Sequence, residues 1–210
     1  MYKIELNGIP IGTTKFEYAD VPMGIIHGKI DFNNISSPYE LFKSHCKKHN
    51  VQINLDDKRN RMIDTVVIPE LKVYKGNKTE LKGWGGAITG MDDDEYEITF
   101  GGIKWEIMSS EFRNHYVKYY DIKSVKIDLE FKEICNGIIK RNLSLNEWKE
   151  IESSDEFQTE NYCGGFDATE NEFCFSYYDK EKKEYWFQNS YSEIEKILKG
   201  EITELEITLK

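Results

Sequence analysis

Short runs in which apolar and polar residues alternate recur along this 210-residue chain, and they constrain its fold more than any other feature. Successive side chains of a β-strand point to opposite faces, so a period of two predicts strands with one buried face. The pattern begins at residues 2–6 and returns at residues 205–209. Residues 125–131 predict a further half-buried strand, and residues 172–178 with 184–188 predict a hairpin. Strands therefore predominate.

Helices interrupt these strands rather than alternating with them. Ser37 followed by Pro38 and Glu40 has the residue types that favour a helix N-cap and first turn, and this helix is predicted to end near Asn50. Two further capping boxes are predicted at Ser144 with Glu147 and at Ser190 with Glu193. We expect an α+β fold with mostly antiparallel sheets, a few short helices and two packed modules.

The modules are expected to meet at residues 119–123, where the absence of proline and glycine argues against a flexible linker. This places a β-rich α+β module at 1–120 and an acidic α+β module at 121–210. The chain has a formal net charge of −10. Residues 121–210 contain 21 acidic and 12 basic residues, net −9, whereas residues 1–120 contain 17 and 16, net −1.

The acidic charge is densest between Glu150 and Asp179, where nine Asp or Glu residues occur without a single Lys or Arg. Such a surface repels the phosphates of nucleic acids and membranes, so neither is an expected partner. It attracts basic proteins, and a basic protein partner is therefore predicted. The alternative is a solvated acidic face that binds nothing.

The four cysteines show no CxxC spacing, which indicates free thiols in a reducing compartment. The N-terminus lacks the basic and apolar regions of a signal peptide. No apolar run approaches the roughly 18 residues that a membrane helix needs. We therefore expect a soluble cytoplasmic protein.

Two groups of residues raise the question of a metal site. His45 and His49 are four residues apart on a predicted helix, so their imidazoles can share one ion. The chain has no HExxH motif, and both histidines lie beside Leu41 and Phe42, which favours a packing role. The consecutive acids at 92–95 point in different directions, unlike Ca²⁺ ligands, and indicate a solvated hairpin tip. No metal and no cofactor is predicted.

The sequence also gives little evidence for a catalytic site. Cys163 precedes two glycines whose backbone N–H groups suit an oxyanion, but its acidic neighbourhood raises a thiol pKa. The glycine-rich stretches 83–86 and 101–102 match no phosphate-binding motif and favour strand bending or packing against a tryptophan. We predict no catalytic residue.

Aromatic residues are interleaved with the acids between Glu150 and Asp179. In protein recognition, aromatic side chains supply buried area while charges accelerate encounter. The alternative is that these aromatic residues face the module's own core. The predicted partner-binding residues are Glu156, Glu160, Tyr162, Asp167, Glu170, Glu172, Tyr178 and Asp179.

Residues 172–178 (EFCFSYY), residues 184–188 (EYWFQ) and the following helix to Ile194 together resemble small bacterial immunity proteins, which accompany polymorphic or contact-dependent toxins. The likeness lies in an acidic, aromatic α+β texture, and it carries over no individual residue. It implies a stoichiometric toxin neutraliser.

The sequence thus predicts a non-enzymatic protein-binding protein, an immunity protein that neutralises a bacterial toxin through an acidic surface. Two alternatives stay open. One is an enzyme of unfamiliar type with a site between the modules, drawing on His27, His115 or the loop at 83–86. The other is a structural or accessory domain without a ligand. The sequence predicts no oligomeric state.

Overall fold

The computed structural model describes residues 1–76, 79–151 and 156–209. The chain divides into two compact units, unit 1 at Met1–Tyr116 and unit 2 at Val117–Lys210, whereas the sequence places the junction at residues 120 and 121. The described residues form six helices and 17 strands in three antiparallel sheets, which confirms the α+β class. In this part of the chain no helix has the length and apolarity required to cross a bilayer.

Unit 1 contains two antiparallel sheets. Its strands are β1 (Tyr2–Leu6), β2 (Ile9–Thr14), β3 (Tyr18–Asp20), β4 (Ile25–Lys29), β5 (Asp31–Phe32), β6 (Ile53–Asp57), β7 (Met62–Thr65), β8 (Leu71–Lys75), β9 (Thr79–Glu80), β10 (Gly85–Met91) and β11 (Tyr96–Gly101). Its helices are α1 (Pro38–His49), α2 (Trp105–Glu111) and α3 (Arg113–Tyr119), the last of which contains the division between the units. The strand orders are β5-β2-β1-β8-β9 and β3-β4-β11-β10-β7-β6.

Helix α1 begins and ends where the sequence predicts. The Ser37 hydroxyl accepts a hydrogen bond from the Glu40 N–H at 3.2 Å, and Pro38 occupies the first turn. The helix stops at Asn50, whose φ of 55° lies in the left-handed region that asparagine tolerates. One side of α1 packs into unit 1 through fully buried side chains, namely Tyr39, Phe42 and Cys46.

Asp92 is a structural anchor, so the predicted solvated hairpin tip is wrong at this residue. Its side chain is only 10% exposed. It accepts hydrogen bonds from the Ser37 hydroxyl at 2.6 Å and the Tyr39 N–H at 2.8 Å, and Arg61 lies 2.8 Å away. Burial opposes ionisation, but these hydrogen bonds, one from Tyr96 and the charge of Arg61 hold the pKa of Asp92 below its ordinary value. Asp92 therefore ties the start of α1 to the β10–β11 turn.

Unit 2 contains a six-stranded antiparallel sheet with helices on one face. Its strands are β12 (Lys123–Lys126), β13 (Phe157–Gln158), β14 (Tyr162–Asp167), β15 (Glu172–Tyr178), β16 (Glu184–Asn189) and β17 (Glu204–Leu209). Its helices are α4 (Leu129–Arg141), α5 (Leu145–Lys149) and α6 (Tyr191–Lys199). The strand order is β12-β17-β16-β15-β14-β13. Inward-facing strand residues and the apolar sides of the helices share one core.

The strand predicted at 125–131 is wrong beyond Lys126, because the chain becomes helical at Leu129. The Asp128 carboxylate accepts a hydrogen bond from the Phe131 N–H at 2.8 Å and so caps α4. Leu129 is 79% exposed, whereas Phe131 is fully buried. The two residues therefore do not share a face.

The last two helices follow their predicted signals. Ser144 with Glu147 and Ser190 with Glu193 both form complete capping boxes, with each serine and each glutamate bonded to the other's backbone N–H. Helix α6 ends at Gly200, whose φ of 75° requires the left-handed conformation that glycine adopts without strain. Both helices contribute fully buried residues to the unit 2 core, namely Trp148, Ile194 and Ile197.

Candidate protein-binding surface

One face of the unit 2 sheet packs against the helices, and on the opposite face every second strand residue points outward. In β15 the buried residues Phe173 and Phe175 lie on the helix side, so their neighbours point the other way. We call this opposite side the outer face. It comprises Ser124, Lys126, Gln158, Cys163, Gly165, Asp167, Glu172, Cys174, Ser176, Tyr178, Glu184, Trp186, Gln188, Glu204, Glu206 and Thr208.

Trp186 is the large apolar side chain of the outer face, with 43% of its surface exposed. It pairs with Ser176 on β15 and Thr208 on β17, and Ser176 pairs in turn with Cys163 on β14. Because these neighbouring side chains are small, they do not cover the indole of Trp186. A tryptophan in such a position offers area and an N–H donor to a partner.

Carboxylates crowd one end of the outer face. Asp167 and Glu172 are paired across β14 and β15, and Glu170 lies in the turn between these strands. Burial, then the charges of Glu193 and Glu170, raises the pKa of Glu172. Burial, followed by the charges of Asp167, Glu172 and Glu170, raises the pKa of the Cys174 thiol to about 11. The negative field thus extends from the turn toward the centre of the outer face.

Basic side chains do not neutralise this end within the part of the chain that the structure describes. Ion pairs there include those of Glu156, Asp121, Glu181 and Glu195, and no Lys or Arg lies within 4.0 Å of the carboxylates of Asp167, Glu170 or Glu172. The outer face as defined has five carboxylates and one lysine, Lys126, which lies opposite Glu204 in the register of β12 and β17. Its net charge is strongly negative.

Most of the predicted partner-binding acids lie at the surface. Asp167, Glu172 and Tyr178 belong to the outer face, and Glu170 borders it. Asp167 also closes the β14–β15 turn by accepting from the backbone N–H of Thr169 at 2.8 Å. Glu160 is exposed before β14, outside the outer face. The structure therefore brings Asp167, Glu170 and Glu172 together.

Tyr162, one of the predicted partner-binding residues, is a core residue with 1% exposure. Its register on β14 places it on the helix side, where its ring lies 5.1 Å from those of Phe131 and Tyr177. Its phenol donates to Asp128 at 3.2 Å. Phe166 is also buried, so for these two aromatic residues the alternative of a core role is confirmed.

Two of the predicted partner-binding acids, Glu156 and Asp179, make contacts within unit 2. Glu156 is only 13% exposed and forms an ion pair with Arg141, which neutralises it. The Asp179 carboxylate accepts from the backbone N–H groups of Glu181 at 2.8 Å and Lys183 at 3.0 Å, which closes the β15–β16 loop. Glu156 is therefore committed to Arg141, whereas Asp179, like Asp167, closes a turn and stays partly exposed.

Several outer-face residues lie outside the acidic stretch that the sequence singled out. Trp186 and Glu184 are on β16, and the Ser176 hydroxyl donates to Glu184 at 2.8 Å. Glu204 and Glu206 are on β17. The alternation within each strand could have assigned these residues to a solvent face. Only the pairing of β16 with β15 and with β17 brings these residues onto the same face as Cys174.

The groups considered for catalysis have structural contacts. His115 Nε2 lies 2.9 Å from the carbonyl oxygen of Phe16, and His27 stacks on Tyr18 with ring centroids 5.1 Å apart. Cys163 is half-buried on the outer face, within the negative surface described above. The outer face therefore remains the arrangement with the clearest binding chemistry.

The fold defines an antiparallel α+β protein, and its outer face combines crowded carboxylates with an exposed indole. Comparison of the chain with protein-family models, with curated proteins and with solved structures found no match. Function is therefore inferred from the chemistry of the outer face and from the sequence pattern.

Proposed function

We propose that this chain is a non-enzymatic binding protein whose outer face docks a basic protein domain. The domain belongs to a bacterial toxin, and the chain is the cytoplasmic immunity protein that blocks it stoichiometrically. The observation that carries this proposal is that one sheet face presents exposed Trp186 together with the carboxylates of Asp167 and Glu172, beside Glu170 in the adjoining turn.

Repulsion among the outer-face carboxylates favours binding of a basic partner. Carboxylates crowded without cations create a negative potential that accelerates the approach of a basic surface, and docked lysines or arginines then relieve the repulsion. Phosphate-bearing partners experience the opposite force. The charge of the outer face therefore favours a basic protein over nucleic acid or an anionic membrane.

Trp186 supplies the apolar part of the interface. Its 43% exposure leaves about 100 Å² of a side chain that can bury about 250 Å². At about 25 cal/mol per Å², covering it is worth about 2.5 kcal/mol, or roughly 60-fold in affinity. Loss of the indole should therefore act mainly on the dissociation rate, whereas loss of the acids should act on the association rate at low salt.

The assignment as an immunity protein draws on the resemblance of residues 172–178 and 184–188 to that class. An immunity protein needs complementarity to a toxin and no chemistry of its own. An acidic face suits a toxin domain that is basic because it must bind nucleic acid or anionic lipid. Such a face would cover the toxin's own basic surface.

The test is growth rescue with a defined partner. Products of the genes flanking this one that contain a basic C-terminal domain are expressed in a bacterial host, with and without the chain. We expect one of them to arrest growth, and the chain to restore growth and to bind that domain directly. Trp186→Ala should weaken binding by up to about 60-fold, and Glu172→Lys should slow association most at low ionic strength.

Matched controls separate the outer face from general effects. Glu133→Lys makes the same charge change at an exposed position of α4, on the helix side of the sheet, and Trp84→Ala removes a 72% exposed tryptophan from unit 1. Both variants should rescue growth like the unaltered chain. Equal binding by Trp186→Ala, or equal losses in Glu133→Lys and Glu172→Lys, would show that the outer face is not the docking site. Absence of any flanking toxin that binds the chain would reject the immunity role.

A further inference from the structure

Three metal-ligating side chains of unit 1 converge where α1 ends. His45 Nε2 lies 3.3 Å from one carboxylate oxygen of Glu70, and His49 Nδ1 lies 3.7 Å from the other. The two imidazole rings are stacked, with centroids 4.3 Å apart. One ligand atom from each residue can be chosen so that all three lie within 4.8 Å of one another. This cluster takes no part in the outer face.

The backbone holds each of the three residues in place. His45 and His49 are one helical turn apart, so they lie on the same side of α1. The helix end is fixed by the left-handed Asn50 and by a hydrogen bond from the Val51 N–H to the Cys46 carbonyl at 2.9 Å. Glu70 directly precedes β8, and its carbonyl accepts from the Asn7 N–H at 3.0 Å. The ligands therefore come from two elements that the fold positions independently.

The distances suit an ion as well as a hydrogen bond. Zn²⁺ binds histidine nitrogen at about 2.0–2.1 Å and carboxylate oxygen at about 2.0–2.2 Å, and tetrahedral ligands at that radius are about 3.4 Å apart. His45 Nε2 lies 3.3 Å from one Glu70 oxygen, close to that value, whereas the 3.7 Å separation of His49 Nδ1 is to the other oxygen. The three ligand atoms lie within 4.8 Å of one another, so the side chains must draw closer around a central ion to complete three-ligand coordination.

The three side chains are partly accessible to solvent, and the Glu70 carboxylate forms no ion pair with a lysine or arginine among the described residues. The side chains of His45, His49 and Glu70 are 8%, 26% and 31% exposed, so an ion can enter from solvent. Among the described residues, the ion-pair partners of Glu70 are these two histidines and no lysine or arginine. Cys46 is fully buried among the core residues of α1 and does not belong to the cluster.

We infer that His45, His49 and Glu70 form a site for a divalent transition-metal ion, with Zn²⁺ the ion that fits best. Two imidazoles and one carboxylate are a donor set that Zn²⁺ accepts, with water in the remaining position. The ion links the end of α1 to the start of β8. This site differs from the packing role that the neighbouring Leu41 and Phe42 favour in the sequence, and it does not depend on the proposed function of the outer face.

The test uses the full chain, freed of metal with a chelator. Co²⁺ is added as a spectroscopic probe, and Zn²⁺ is then titrated by calorimetry. We expect one equivalent of Co²⁺ to give visible absorption bands that Zn²⁺ abolishes, and Zn²⁺ to raise the thermal midpoint. His49→Gln and Glu70→Gln alter partly exposed side chains, and each should weaken Zn²⁺ binding by at least about tenfold.

His27→Asn is the matched control, because it removes a histidine of β4 that stacks on Tyr18 outside the cluster. It should bind Zn²⁺ like the unaltered chain. Circular dichroism of the metal-free variants verifies that each one folds. The inference fails if the unaltered chain binds no Zn²⁺, or if His49→Gln and Glu70→Gln bind it as tightly as His27→Asn does.

Discussion

Phe131 joins α4 to the unit 2 sheet, and the Phe131→Ala substitution tests this packing directly. The side chain is fully buried, and its ring centroid lies 5.1 Å from Tyr162, 5.3 Å from Phe175 and 5.1 Å from Phe187. Truncating a buried phenylalanine costs about 3–5 kcal/mol, because apolar contacts are lost and a cavity remains. Three lost ring pairs, each worth about 0.5–1.5 kcal/mol, place the expected cost near the upper end, at about 4–5 kcal/mol.

Leu129 supplies the matched comparison. It is two residues away and 79% exposed at the first position of α4, so Leu129→Ala should change the free energy of unfolding by no more than about 0.5 kcal/mol. Phe131→Leu retains most of the buried volume and should cost about 1.5 kcal/mol. This milder variant keeps the comparison measurable if Phe131→Ala does not fold, since small domains are stable by only about 5–15 kcal/mol.

The assay is urea unfolding followed by tryptophan fluorescence. Trp148 is fully buried in the unit 2 core, with its ring 5.0 Å from that of Phe173, so it reports the unfolding of that unit. The other tryptophans, Trp84, Trp105 and Trp186, are changed to phenylalanine to leave one signal. Similar losses for Leu129→Ala and Phe131→Ala would mean that both side chains share a buried face, as in a strand, and would refute the helical register of α4.

Two further predictions concern charge. Asp92 has a folded-state pKa below its ordinary value, so its stabilisation is complete above the unfolded pKa of 3.8 and is lost as the pH falls through the lower folded value. Asp92→Asn should therefore lower the thermal midpoint at pH 7 and flatten its fall in acid, and parallel acid profiles for both proteins would contradict this. Glu172→Gln removes one of the charges that raise the Cys174 pKa, so alkylation of Cys174 by iodoacetamide at pH 8, followed by mass spectrometry, should become faster. Glu133→Gln, on the helix side, should leave that rate unchanged, and equal acceleration by both variants would argue against a local field.

The features that the sequence predicted well are those with local causes. Residues 172–178 alternate because a strand with one buried face needs a period of two, and they form β15. Ser190 and Glu193 satisfy each other's backbone N–H groups within one turn, so the start of α6 is encoded in four residues. Neither feature needs knowledge of distant residues.

The failures arose where two local patterns compete or where a distant contact decides. Residues 125–131 alternate, but Phe131, Ile134, Cys135 and Ile138 have helical spacing and are all buried in α4. The Asp128 cap decides between the two patterns. The burial of Asp92 depends on Ser37, which is 55 residues away along the chain, and no local pattern predicts that contact.

The candidate site shows the same limit, with a consequence for function. The acidic stretch is split by the pleat of the sheet, because Tyr162 and Phe173 point into the core while Glu172 and Cys174 point outward. A docking surface must therefore draw its remaining residues from adjacent strands, and Trp186 comes from β16. Burial, followed by repulsion from Glu193 and Glu170, raises the pKa of Glu172, so keeping this carboxylate ionised at neutral pH opposes folding. A basic partner relieves that repulsion, so binding should be stronger for the chain with Glu172 than for a Glu172→Gln variant that is itself at least as stable.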